Sequence, residues 1–172
     1  NARMRDRLGD GYAETLRKVY KDVPDTVDFV MYWWHKAANL VHSKKIQRFG
    51  FITTNSIHQV RLRNVIDFYL SCRNPLRLNF AIPDHPWTDE GAAVRIAMTA
   101  AELDDTDKAS QIAKLGIVSS EEAGETPEDS ADKVEVNWQI VGKIFSNLRV
   151  GIDIGNIISL KSQSDICGTG VK

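Results

Sequence analysis

Three consecutive polar residues, Thr54-Asn55-Ser56, form the stretch of this sequence best suited to bind a ligand. They follow an apolar run of aromatic and β-branched residues, Phe49 to Thr53, which is typical of a strand covered on both faces, although a buried helix can show the same pattern. Open α/β sheets bind ligands at the carboxyl ends of their strands. We therefore expect Thr54-Asn55-Ser56 to lie at the edge of a ligand crevice.

Aromatic and basic residues near this stretch are further candidates. Trp33 and Trp34 lie in an apolar segment before the strand; core packing is the ordinary explanation, and the alternative is that one indole lines an aromatic pocket. His58, Arg61 and Arg63 follow the polar residues and could meet a phosphate backbone, although arginines on a helix surface are more often simply solvated.

Several other chemistries lack support in the sequence. His35 and His42 have no neighbouring ligands, and Cys72 and Cys167 form no ligand motif, so we expect no metal site and reduced thiols. We find no nucleophile elbow, no Walker motif and no convincing pair of catalytic carboxylates. The residues by themselves therefore indicate a binding crevice without specifying a reaction.

Composition places the chain among soluble globular proteins. Its 172 residues are 42% hydrophobic and 26% charged. No apolar run approaches the roughly 20 residues needed to cross a bilayer, and the first ten residues do not resemble a secretory signal. We expect a cytoplasmic protein with no membrane partner, and the oligomeric state cannot be read from the sequence.

Three helices should position the candidate residues. Apolar residues recur at helical spacing over Met4 to Lys21, Val27 to Ser43 and Val60 to Ser71. Asp25 or Thr26 could cap the second of these helices. That helix carries two apolar stripes, which predicts that it packs against a sheet on one side and another element on the other.

Three strands are predicted from residues 48–101. The second runs from Leu76 to Ile82 and the third from Ala92 to Ala101, and together they form an antiparallel hairpin at one edge of the sheet. Residues 83–91 contain two prolines and are predicted to form a long loop that exposes Trp87.

Charge is distributed unevenly along the chain. Residues 102–133 carry ten acidic side chains and three lysines, while the remainder carries 19 basic and 13 acidic residues. We interpret 102–133 as an acidic mobile insertion with a possible short strand at Leu115–Val118. The basic remainder is compatible with binding nucleic acid on one face, although a mixed solvated surface is the more common explanation.

Four features, in this order and spacing, resemble the class I S-adenosylmethionine-dependent DNA adenine-N6 methyltransferases, in particular MmeI-like restriction–modification enzymes. They are LGDGY (Leu8 to Tyr12), DFVMYWW (Asp28 to Trp34), ITTNSI (Ile52 to Ile57) and DHPWTDEGAAVRIAM (Asp84 to Met98). The resemblance covers the chain up to about residue 101, and residues 134–172 resemble the end of the catalytic domain and the passage into a target-recognition domain.

The resemblance implies a fold and specific roles. The fold class is α/β: a partial Rossmann-like methyltransferase sheet flanked by helices, with the third strand inserted antiparallel between the first two. Asp28 and Trp33 correspond to cofactor-binding positions, the indole stacking on the adenine of S-adenosylmethionine. Asn55, Ser56 and Trp87 correspond to the pocket for an adenine extruded from double-stranded DNA. Two further residues would contact the DNA backbone: Arg61 and Arg63. We expect Trp33 and Trp87 to face one hollow beside Thr54-Asn55-Ser56.

The sequence also departs from the family pattern. It lacks the glycine-rich cofactor loop, the acidic residue for the ribose and the catalytic Asn-Pro-Pro-aromatic motif. We therefore expect residues 1–101 to be the second half of a catalytic domain, with the catalytic motif upstream of Asn1 and no activity in the chain alone. Two alternatives remain open: a nucleic-acid-binding module without catalysis, and a purely structural α/β domain. Salt-dependent DNA binding would separate these two.

Overall fold

In the described part of the chain, most helices come first and four of the five strands of a single sheet follow one another at the end. The computed structural model describes residues 2–89, 92–104, 112–121 and 134–151. In chain order the elements are α1 Ala2–Leu8, α2 Asp10–Val19, α3 Phe29–His42, β1 Arg48–Thr54, a 3₁₀ turn Asn55–His58, α4 Val60–Ser71, β2 Leu76–Asp89, β3 Ala92–Leu103, β4 Ala113–Glu121 and β5 Val134–Val141.

The sheet has the strand order β1-β3-β2-β4-β5. β3 lies between β1 and β2 and is antiparallel to both, which confirms the predicted topology of the first three strands. β4 continues the sheet parallel to β2, and β5 is antiparallel to β4. The possible strand at Leu115–Val118 is therefore real and longer than expected, and it lies inside the segment predicted to be an acidic insertion.

One face of the sheet carries the core. Trp34 of α3 is fully buried and packs edge-on against Phe49 of β1, with ring centroids 5.0 Å apart. The same indole lies 5.8 Å from the ring of Tyr69 on α4, so both helices cover this face. Small and branched side chains complete the buried layer on the sheet: Leu78, Ala81, Ala97, Ala101 and Leu115. Core packing is thus the correct interpretation of Trp34.

The opposite face is covered less completely. Residues alternate along β1, so that Phe49, Phe51 and Thr53 face the helices while Ile52 exposes 56% of its surface. The expectation of a strand covered on both faces is therefore wrong for the described part of the chain. A continuous apolar run does not by itself show how many layers cover a strand.

Two predicted helix boundaries also change. The single helix expected from Met4 to Lys21 is broken into α1 and α2 at Gly9, whose φ of 81° is easily reached only by glycine. The next helix begins two residues later than expected, with Asp28 rather than Asp25 or Thr26 at its N-cap position. The described helices include none that is long and apolar enough to cross a membrane.

The predicted loop at 83–91 is wrong up to Asp89, because β2 continues through both prolines. The ladder between β2 and β3 is irregular between Ile82 and His85, where β2 contains one residue more than its partner. Such a bulge interrupts the ladder hydrogen bonds, so Pro83, which lacks an N–H group, is accommodated there.

Candidate functional site

A cavity of about 610 Å³ lies beside the carboxyl end of β1. This volume is within the usual range for small-molecule sites. Its lining comes from α1, the first turn of α3, β1 and β3: Met4, Arg7, Leu8, Asp28, Phe29, Val30, Ile52, Thr53, Thr54 and Ile96. The walls are mainly apolar, with one cationic and one anionic side chain among them, and such a lining suits a partly apolar ligand with charged or polar edges.

The polar residues predicted to border a crevice lie beside this cavity. Thr54 lines it directly and pairs in the sheet with Ile96, which also lines it. The Thr54 and Ser56 hydroxyl oxygens are hydrogen-bonded at 2.8 Å. Asn55 begins the 3₁₀ turn that follows the strand. β1 therefore ends in a turn in which the side chains of Thr54 and Ser56 hold each other in place.

Asn55 is held by an ion pair from the neighbouring hairpin. Its Nδ2 donates to Asp84 Oδ1 at 3.1 Å. Arg95 donates to the same carboxylate twice, from Nε to Oδ1 at 2.7 Å and from Nη2 to Oδ2 at 2.8 Å. The hydrogen bonds from Arg95 hold the pKa of Asp84 below its ordinary value, so the group is an ionised acceptor at neutral pH.

The bulge in β2 explains how Asp84 reaches this position. Asp84 lies within the irregular segment between Ile82 and His85 and has no ladder partner on β3. Bulged residues are re-aimed relative to a regular strand. The irregularity therefore brings a carboxylate of β2 to Asn55, which follows β1, two places away in the strand order of the sheet.

Of the two residues predicted to bind the cofactor, Asp28 lines the cavity and Trp33 does not. Asp28 lines the cavity at the start of α3. Trp33 is 48% exposed and lies outside the cavity lining, one helical turn beyond Phe29, against which its ring packs edge-on at 5.9 Å. Lys36 Nζ lies 5.8 Å from the centre of the indole. Trp33 thus offers an accessible ring beside the cavity rather than within it.

Trp87 also stands outside the cavity lining. It is 41% exposed and pairs with Val94 beyond the end of β1. His85 pairs with Ile96, which lines the cavity. Trp87 lies two residues beyond His85 on the same face of β2, and therefore further from the cavity. We expected both indoles to face one hollow, but neither Trp33 nor Trp87 lines this cavity. Their roles stay predictions.

The two arginines of α4 differ in accessibility. Arg61 is exposed in the first turn of the helix. The side chain of Arg63 is only 14% exposed, and its Nε lies 3.8 Å from Asp67 Oδ2. Nε makes no hydrogen bond, since this distance is that of an ion pair alone. Arg61 is therefore the more available of the two for an external phosphate.

A partly buried hydrogen-bonded ring joins α3 to α4 behind the site. Tyr69 Oη lies 2.8 Å from His35 Nδ1 and 3.1 Å from Asn39 Oδ1, and Asn39 Nδ2 lies 3.0 Å from His35 Nε2. Since Asn39 Nδ2 must donate to Nε2, we assign the proton of a neutral imidazole to Nδ1, which donates to Tyr69. Burial lowers the pKa of His35 and raises that of Tyr69. His35 is thus a satisfied core histidine, as expected.

Sequence reasoning missed Asp84 and Arg95 as members of the site. Both belong to the quoted segment DHPWTDEGAAVRIAM, yet neither was assigned a role. The available signal was an opposite charge on each arm of a predicted hairpin. The bulge shifts the register of β2 against β3, so counting residues from the turn does not pair Asp84 with Arg95. Among the described residues there is no group of three side chains able to hold a metal ion.

Comparisons with known proteins agree with this architecture. The family model of the MmeI DNA-methyltransferase domain matches residues 8–113. The solved structure of the Type IIL restriction-modification enzyme MmeI in complex with DNA is similar with a TM-score of 0.60 and 22% identity, over 84% of this chain and 18% of that one. At this identity the likeness shows the fold. No curated protein sequence matches.

Proposed function

Because this chain belongs to the family of MmeI-type DNA-methyltransferase domains, we propose that its full protein transfers a methyl group from S-adenosylmethionine to the N6 atom of adenine at a specific DNA site, as part of a restriction–modification enzyme. The match of the family model over residues 8–113, more than half of the chain, is the observation that carries this proposal. The cavity at the polar end of β1 supports it, since this is where open α/β sheets bind ligands.

The residues around the cavity fit part of a nucleoside-containing cofactor. Asp28 can accept hydrogen bonds from amine or hydroxyl groups at the cavity, and the exposed ring of Trp33 beside it can stack on a purine. S-adenosylmethionine would supply an electrophilic methyl group there. We propose that Asp28 and Trp33 hold its adenosine portion.

The proposed partner is double-stranded DNA. The related structure is that of a DNA complex, and a base inside a duplex must be extruded before its amine can react. We propose that Asn55, Ser56 and Trp87 border the pocket for the extruded adenine. Arg61 would contact the backbone, and Arg63, which is mostly buried against Asp67, would contribute less. We propose a cytoplasmic location for the protein.

The 172 residues contain no Asn-Pro-Pro-aromatic sequence. In the family that this chain resembles, this motif holds the target amine and stacks on the base. We therefore propose that the chain alone does not methylate DNA, and that its contribution is the outer part of the cofactor and base sites.

Methyl transfer by the full protein tests the proposal. Labelled S-adenosylmethionine and DNA should yield N6-methyladenine, identified by mass spectrometry of the digested product, and the 172-residue chain alone should yield none. In the full protein, Trp33→Ala should raise the KM for the cofactor about tenfold or more, since stacking on a base is worth about 1–3 kcal/mol.

Trp138→Ala is the matched control, because Trp138 is similarly exposed, at 45%, but lies on β5 at the other end of the sheet. An equal effect of both substitutions would remove the assigned role of Trp33. Methyl groups found on cytosine, or on no base, would refute the proposed reaction.

A further inference from the structure

Arg7 brings a positive charge to the cavity from the helix α1. Met4, Arg7 and Leu8 all line the cavity, and their spacing of three and four residues places them on one face of that helix. Met4 is 6% exposed and belongs to the buried core, so this face of α1 is held against the rest of the molecule. The position of Arg7 beside the cavity therefore follows from the packing of its own helix.

The guanidinium group of Arg7 is available to a ligand. The side chain is exposed, and within the part of the chain that the structure describes it takes part in no hydrogen bond or ion pair. Asp28 also lines the cavity, but it is not paired with Arg7. Asp28 lies at the N-terminal end of α3, where the helix dipole stabilises its negative charge without help from Arg7. The cation of the cavity is therefore not explained by the anion beside it.

The surroundings of Arg7 favour an oxyanion as its partner. Most of the cavity lining is apolar, and a charged hydrogen bond is stronger beside apolar walls than in water. A guanidinium group donates two parallel hydrogen bonds to a carboxylate or a phosphate, a geometry that a lysine ammonium group does not offer. A ligand with an apolar body and one oxyanion therefore matches this cavity better than a neutral ligand.

We propose that Arg7 is an oxyanion-binding residue of the cavity and pairs with a carboxylate or a phosphate of the molecule bound there. This inference rests on the proposed function, which supplies one group of each kind. S-adenosylmethionine carries a carboxylate at its amino-acid end, and DNA carries phosphates on both sides of the target base. Arg7 recognises either group by the same chemistry, so two binding measurements distinguish the sources.

The affinity of the full protein for two cofactors tests the carboxylate. The cofactors are S-adenosylmethionine and its decarboxylated form, which differ in that group, and calorimetry measures both. If Arg7 binds the carboxylate, wild-type protein should prefer S-adenosylmethionine about tenfold or more, the usual effect of one hydrogen-bonded charge pair. Arg7→Gln should lose this preference and bind the decarboxylated cofactor as wild-type protein does. Because the readout is a ratio of two affinities for one preparation, a lower folded fraction does not alter it.

The salt dependence of DNA binding tests the phosphate. A cationic side chain that contacts a phosphate releases counterions, so the logarithm of the affinity falls with the logarithm of the salt concentration by about 0.9 for each contact. If Arg7 binds a phosphate, Arg7→Gln should reduce this slope by about 1. The preference between the two cofactors should then stay unchanged.

Arg5→Gln is the matched control. It removes the same charge from the same helix, but Arg5 lies outside the cavity lining and pairs with Asp10, with Arg5 Nη1 3.2 Å from Asp10 Oδ1. It should change neither the cofactor preference nor the salt slope. An Arg7→Gln variant that keeps the wild-type preference and slope, or that changes no more than Arg5→Gln, would overturn the inference and leave the proposed function intact. Wild-type protein that binds neither S-adenosylmethionine nor DNA would refute the proposed function, and this inference with it.

Discussion

Replacing Tyr69 with phenylalanine should loosen the contact between α3 and α4. The hydroxyl group both accepts from His35 Nδ1, at 2.8 Å, and donates to Asn39 Oδ1, at 3.1 Å. Its removal leaves the His35 N–H unpaired in the buried core, whereas Asn39 is an exposed residue whose amide can turn to water. A buried polar group without a partner costs about 1–3 kcal/mol, so we expect a loss of about 2 kcal/mol.

Native-state hydrogen exchange measures this loss locally, in the full protein as well as in the chain. Amides of α3 and α4 that exchange by joint opening should exchange about 30-fold faster in Tyr69→Phe, which corresponds to about 2 kcal/mol. Tyr12→Phe is the control, because Tyr12 is an exposed tyrosine on α2 that packs edge-on against Phe29. Its effect should stay within about 0.5 kcal/mol.

The result also bears on the candidate site. α3 begins at the cavity and carries Trp33, while α4 follows the turn that contains Asn55. The ring therefore holds α3, whose first turn lines the cavity, against the helix that follows the polar turn. Equal exchange rates in Tyr69→Phe and Tyr12→Phe would refute the reasoning, because they would mean that the ring contributes nothing to holding these helices together.

Three further predictions concern stability. Thr99→Val should raise the free energy of unfolding by about 1 kcal/mol, because the buried Thr99 hydroxyl has no hydrogen-bond partner; urea unfolding with no gain would contradict this. Gly116→Ala should cost about 1–3 kcal/mol, since its Cβ would lie 2.8 Å from Trp138 Cζ3, whereas Gly142→Ala, with open space around it, should cost less. Burial lowers the pKa of His35, so the unfolded chain binds its proton first and stability should fall as the pH drops below about 6.5. His35→Gln should lack that fall below about pH 6.5, and an identical pH profile would contradict the assignment.

The sequence predicted well those elements whose pattern is purely local. α4 has the expected bounds, Val60–Ser71, because Leu62, Val65, Ile66 and Tyr69 recur at helical spacing and are buried together. The inserted position of β3 followed from the family resemblance and is confirmed. Failures occurred where backbone conformation overrides the pattern. Gly9 adopts a positive φ and breaks a periodic segment, and a bulge carries β2 through prolines that ordinarily end a strand.

The candidate site was predictable only in part, for a related reason. Thr54 lines the cavity at the predicted strand end, and Asp28 lines it at the start of α3, although its cofactor role stays a prediction. Trp33 and Trp87 flank it instead, since their direction depends on helix rotation and strand phase. Asp84 reaches Asn55 through tertiary packing over 29 residues of separation, which no local pattern encodes.

The strand β2 contains a second irregularity, between Leu78 and Phe80, in addition to the one before His85. Each adds one residue relative to β3, and each addition exchanges the inward and outward positions of everything that follows. Two additions cancel, so Leu76 and Leu78 point into the core at one end while Trp87 remains outward at the other. Loss of a single residue between these points would turn Trp87 toward the core face of the sheet. The length of β2 between these two points therefore decides which face of the sheet carries Trp87, and any role of that ring depends on both extra residues being present.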